Sequence, residues 1–142
     1  MKPTKIKIGD REVPIRIDYE VIETIEEQYE TLERFQMKLL GFDWKRNADG
    51  TYDYDDEGKP QAIVKNPSMK ALNFILPLMV NEGIRYEAKK NNMEYEPIDD
   101  DLIIMECNIE RSYLISIIQE EINRCQAVKK PTPGESGKNR RP

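Results

Sequence analysis

The sequence predicts an α+β domain that is mostly helical, with an N-terminal β-hairpin and a second small hairpin inserted between the first and central helices. Three observations lead there. Met69, Leu72, Ile75, Leu76, Met79, Val80 and Ile84 recur three and four apart, one face of a long helix. Ile6 and Ile8, then Val13, Ile15 and Ile17, alternate with polar residues on either side of Gly9-Asp10. Phe42, Trp44, Tyr52 and Tyr54 alternate around Asn47-Ala48-Asp49-Gly50, a second turn with aromatics on one face. A chain of 142 residues suits one domain of this kind, spanning 1–128, with a short tail behind it.

In chain order, residues 4–18 read as the hairpin, with Ile6 opposite Val13, Ile8 opposite Arg11, and Pro14 marking an edge strand. Asp18 caps a helix over 18–40, whose apolar side carries Val21, Ile22, Ile25, Tyr29, Leu32, Phe35 and Leu39, and Gly41 ends it. Thr31 is a second capping candidate, so the pattern fits one helix or two. The stretch 42–65 holds the inserted hairpin, a further turn at Asp56-Glu57-Gly58-Lys59, and a short strand at Ala62-Ile63-Val64. Over 66–91 runs the central helix, with Asn66 as cap, Pro67 at the first helical position and a kink expected at Pro77. Its interior, from Ala71 to Val80, is apolar nearly all round, so several neighbours must cover it. A polar link leads to a short helix at 99–106, whose acids favour its N-terminal end. Asn108 caps the last helix, 108–128, with a stripe of Ile109, Tyr113, Leu114, Ile117, Ile118, Ile122 and Cys125. Residues 129–142, with three prolines and two glycines, read as a disordered basic tail.

Composition narrows the function. There is no histidine, which removes His-based acid–base chemistry, His-dependent nucleophiles and every His-containing zinc site. The net charge is −5; five basic residues and one acid give the tail +4, leaving −9 on the body. An acidic body argues against nucleic-acid binding. No apolar stretch reaches the length of a membrane span, and no secretory signal follows Met1, so a cytoplasmic protein is expected. Cys107 and Cys125 lack metal-site spacing and read as reduced thiols. Asp53, Asp55, Glu57 and Gly58 match the opening of an EF-hand loop, but its closing glutamate is replaced by Val64, and a solvated turn explains them better. No phosphate loop, nucleophile elbow or zinc cluster is present. No catalytic, cofactor-binding or metal residue is therefore assigned, and a non-enzymatic binding or assembly protein is expected.

The segments KIKIGDREVPIRID, YEVIETIEEQYETLERF and LNFILPLMVNEGIRYE occur in an order that resembles the tail assembly chaperones of long-tailed, siphophage-type bacteriophages and prophages. The matching positions are Glu26, Glu27 and Tyr29; Asn81, Glu82, Gly83, Ile84 and Tyr86; and Asp99 to Asp101. In that family a small residue, often glycine, commonly follows the tyrosine of the first helix, where this chain has Glu30. The stretch 42–65 looks like an insertion into the pattern. The resemblance implies a chaperone in the host cytoplasm that keeps the tape measure protein soluble and helps recruit tail tube subunits; separately, edge strands and leftover apolar stripes would allow self-association. The resemblance also implies that the tail is a linker to a domain appended by frameshifting; by residue type, Lys129-Lys130 and Ser136-Gly137-Lys138 permit slippery codons, and the alternative is an ordinary frayed terminus.

Candidate partner-binding residues are Ile25, Tyr29, Leu32, Phe35, Trp44, Tyr113 and Ile117, on the apolar sides of the first and last helices and on the insertion; the competing reading makes those stripes intramolecular core. The alternative function is a small acidic adaptor or inhibitor that binds one folded partner. A hydrolase using a metal held by distant carboxylates ranks third.

Overall fold

A computed structural model describes residues 4–129. The expected tail lies outside the described residues from 130 onward.

The first hairpin pairs β1 (Lys5–Ile8) with β2 (Arg11–Pro14) in the register set by the Gly9-Asp10 turn, Ile6 facing Val13 and Ile8 facing Arg11. Alternation puts Ile6, Ile8, Val13, Ile15 and Ile17 on the inner side, and all five are buried. A two-stranded ribbon is marginal alone, and this one is fastened at both ends. The Gly9 amide donates to the Glu106 carbonyl at 2.9 Å, and the Arg16 amide to the Met79 carbonyl at 2.9 Å.

The helix expected over 18–40 is two helices, α1 (Tyr19–Tyr29) and α2 (Leu32–Leu40). Asp18 caps the first by accepting from the Val21 amide at 3.3 Å, and Thr31 caps the second by accepting from the Arg34 amide at 3.0 Å. Between them Glu30 turns the chain with φ 75°. The break brings both apolar faces onto the same core: Tyr29, Phe35 and Phe74 meet edge to face, with ring centres 5.2, 5.4 and 6.3 Å apart.

The central helix α3 (Met69–Lys90) begins two residues later than Asn66 and Pro67 suggest. Ser68 is its cap, accepting from the Ala71 amide at 3.1 Å, while its own amide goes to the Lys38 carbonyl of α2 at 3.0 Å. That tertiary bond fixes the boundary. Leu72, Ile75, Leu76, Met79 and Val80 are buried as their spacing requires; Met69 stays outside, and the backbone remains helical on both sides of the buried Pro77.

The short helix α4 (Asp100–Glu106) is capped by Asp99, which accepts from the Leu102 amide at 3.2 Å. The last helix α5 (Arg111–Lys129) starts three residues after the expected Asn108 cap. Glu110 does the capping, its carboxylate accepting from the Tyr113 amide at 3.0 Å, while Ile109 packs on the core from the preceding link. One hydrophobic cluster joins the hairpin with all five helices. No helix among the described residues is long and apolar enough to cross a membrane.

The insertion departs most from expectation. Strand β3 (Phe42–Trp44) pairs with β4 (Ala62–Val64), not with the Tyr52–Tyr54 stretch. Beyond Trp44 the ladder divides. Lys45 donates its amide to Gln61 at 2.8 Å, Gln61 to Asp53 at 2.9 Å, and Asp53 back to Lys45 at 3.0 Å. These three residues stand eight apart in sequence, and the cycle satisfies six backbone groups at a three-way junction. Two arms leave it, one with Arg46 opposite Tyr52 and one with Tyr54 opposite Pro60. Asp53 is ion-paired with Lys45 at 3.2 Å, and Asp55 accepts from the amides of Glu57 and Lys59 at 2.9 Å each, so both acids serve the turns.

Candidate functional site

The segment Asn81–Tyr86 of α3 is the joint on which the hairpin, α1 and the link before α4 converge. Asn81 pairs both ways with one residue of that link: its Nδ2 donates to the Ile98 carbonyl at 2.9 Å, and its Oδ1 accepts the Ile98 amide at 2.8 Å. Gly83 lies against the hairpin. A Cβ there would stand 2.6 Å from the Pro14 carbonyl carbon and 2.8 Å from Ile15 Cα, and closer still to the Pro14 oxygen. Only glycine lets the strand come near enough for the Arg16 amide to reach Met79. Ile84 packs on the core, and the Arg16 guanidinium lies 3.8 Å above the Tyr86 ring.

Beside this joint the carboxylates of Asp18, Glu20 and Glu82 gather, with one oxygen of each within 4.8 Å of the others. Two arginines serve them. Arg85 holds Glu82 through Nε at 2.8 Å and Nη2 at 2.7 Å and also bonds Glu20, while Arg16 pairs with Asp18 at 3.2 Å. Burial, first, pushes the Glu82 carboxyl above its ordinary value, and a hydrogen bond with Asp18 adds to this against the pull of Arg85. For Asp18 burial acts upward too, but its bonds to Glu82, the Val21 amide and Arg16 outweigh it and hold the group below its ordinary value. The Glu82 hydrogen bond raises Arg85. A cation here would compete with both arginines for the same oxygens, so ion pairing explains the cluster.

A second polar device lies in the core. Glu121 is 3% exposed on α5, accepts the Ile17 amide at 3.0 Å, and is bound by Arg124 through Nε at 2.9 Å and Nη2 at 2.8 Å. The same Nη2 reaches the Ile17 carbonyl at 3.1 Å. The Glu121 hydrogen bond is the chief reason the Arg124 pKa is raised.

The candidate partner-binding residues divide. Ile25, Phe35 and Ile117 are buried in the core and are withdrawn from any accessible surface: breaking the first helix in two turns both its halves inward, and α5 packs Ile117 onto the same cluster. Tyr29 and Leu32 lie half-buried against that core. Trp44 is half-buried, its ring 6.4 Å from Tyr52. Tyr113 alone of the seven is well exposed. Its place in the stripe of α5 is taken by Ile115 and Glu121, which periodicity did not single out. Large apolar side chains do reach the surface elsewhere: Leu40, Phe42, Val64 and Met69 around the base of the insertion, Met93 and Tyr95 in the link after α3, and Leu102 and Met105 on α4. The adjacency of Leu40 and Phe42 and the short strand at Val64 are visible in the sequence; their exposure is not.

The fold and these surfaces define a small α+β protein with apolar residues exposed on an acidic body. No family model, no curated protein and no solved structure matches the chain.

Proposed function

We propose that this chain is a non-enzymatic tail assembly chaperone of a long-tailed bacteriophage or prophage. It keeps the tape measure protein soluble in the host cytoplasm and helps bring tail tube subunits to it. The observation that carries this reading is the joint at Asn81–Tyr86. Of the segments on which the resemblance rests, the first two run on from one another over 5–35 and the third lies far along at 72–87, yet they meet there: Asn81 ties the link to α4, Gly83 receives the hairpin, Glu82 approaches the start of α1, and Tyr86 receives Arg16. Of the matching positions, the Asn81–Tyr86 group makes this joint, while Glu26 and Glu27 lie exposed on α1 and Tyr29 packs on Phe35 and Phe74. Exposed Tyr113, Leu102 and Met105 give an extended apolar partner places to bind, and the acidic body keeps such a complex in solution.

Co-expression tests the reading. The tape measure protein encoded in the same genome should be insoluble alone and recovered as a soluble complex with this chain. Replacing Tyr113 or Met105 by Asp should reduce that recovery while leaving thermal stability nearly unchanged. A tape measure protein equally insoluble with and without the chain would overturn the proposal.

A further inference from the structure

The insertion carries an open strand edge. In the β3–β4 ladder the Lys65 amide donates to Gly41 at 2.6 Å and Lys45 donates to Gln61 at 2.8 Å. Backbone groups alternate sides along a strand, so residues 61, 63 and 65 direct theirs toward β3 or the junction. Ala62 and Val64 direct theirs outward. Every residue of β4 is exposed, Val64 at 81%. The edge is apolar from Ala62 to Val64, and although the strand is short and flanked by Pro60 and Lys65, neither a charge nor a proline interrupts its outward-facing groups.

We propose that β4 pairs antiparallel with β4 of a second copy of this chain, forming a four-stranded sheet β3–β4–β4–β3 across a two-fold axis. The strand is complementary to itself. With Ile63 facing its counterpart, Ala62 stands opposite Val64 and Gln61 opposite Lys65, so no like charges face each other. The outward groups of Ala62 and Val64 then meet as hydrogen-bonded pairs, four bonds in all. The two Lys65 side chains are separated by four strand positions, about 13 Å, beyond the screening length at physiological salt. Phe42, Trp44, Ala62 and Val64 share one face of β3–β4 and become continuous with the same four of the partner, joining two small apolar faces into one. This pairing is independent of the tail chaperone reading.

Sedimentation equilibrium of the full chain over a range of concentrations tests it, with amide exchange as a second readout. The expected result is an average mass rising with concentration toward twice 16.7 kDa, with the Ala62 and Val64 amides gaining protection in parallel. Ala62→Pro removes an outward N–H while leaving every bond to β3 in place, so it should hold the mass at 16.7 kDa with the melting temperature of the monomer unchanged. Val64→Lys should do the same by placing two lysines on the joined face. A chain that stays monomeric at high concentration overturns the proposal, as does a dimer indifferent to Ala62→Pro. Protection of Ala62 and Val64 that appears only when another protein is added overturns it too, in favour of a foreign strand.

Discussion

Glu121, on the last helix, accepts the backbone amide of Ile17, 104 residues earlier, at 3.0 Å. Arg124, one turn on, both neutralises that carboxylate and donates to the Ile17 carbonyl. Both backbone groups of the residue leading into α1 are thus satisfied by one ion pair, where no strand partner exists. Glu121→Ala would strand the Ile17 amide and leave Arg124 without its counter-charge. A loss of about 3 kcal/mol is expected, at the low end for breaking a buried pair because Arg124 retains some access to water. Glu121→Gln keeps an acceptor and should lose less. Urea unfolding measures both, and an Ala variant as stable as the parent would deny the clamp any energetic role.

Gly83 offers a test in which two effects have opposite signs. In an exposed helix, Gly→Ala stabilises by about 1 kcal/mol. Here the added methyl would collide with the Pro14–Ile15 backbone, which cannot swing aside as a side chain can. Gly83→Ala should therefore destabilise by about 2 kcal/mol or more, with the Arg16 amide losing protection from exchange. Stabilisation instead would mean that the hairpin does not seat on α3 as described.

Glu30 holds a positive φ that side chains bearing a Cβ adopt only at a cost. Glu30→Gly should stabilise the protein by up to about 1 kcal/mol, the relief being partly offset by the greater freedom of glycine in the unfolded chain. Its ion pair with Arg34 is exposed and contributes little. Glu30→Ala, which loses the pair but keeps the Cβ, serves as the control and should show no gain in thermal unfolding.

The Asp18–Glu82 pair predicts a pH profile with two slopes. Asp18 is depressed in the folded state, so its contribution is present above its unfolded value, 3.8, and is lost as pH falls through its lower folded value. Glu82 is raised, so the folded state holds that proton more tightly. Its contribution is complete below 4.5 and is lost as pH rises through the folded value. Melting temperatures of the parent should thus decline from about pH 4.5 upward relative to those of Glu82→Gln, which has no proton to lose. Parallel curves for the two proteins would refute the assignment.

Much of this was legible in the sequence, and for a local reason. The register of the first hairpin follows from a two-residue turn and a period of two, and the buried face of α3 from a period near 3.6. Such signals are carried by neighbouring residues and need no knowledge of the rest of the chain. The possibility of a break at Thr31 was visible as a capping residue, but helical spacing continues through Glu30 and hides the turn.

What only the tertiary structure decided are the matters in which distant residues choose one another. Ile25, Phe35 and Ile117 face the core because α1, α2 and α5 pack around it together, whereas Tyr113, on the same nominal stripe as Ile117, faces water. Ser68, not Asn66, starts the central helix because the Lys38 carbonyl takes its amide. Strand β3 pairs with β4 across a junction in which Lys45, Asp53 and Gln61, eight and sixteen residues apart, exchange backbone hydrogen bonds in a cycle. Glu121 reads as a surface charge in any window of the sequence. It is buried because Ile17 and Arg124 supply its partners, and a carboxylate can leave water only where such partners already stand.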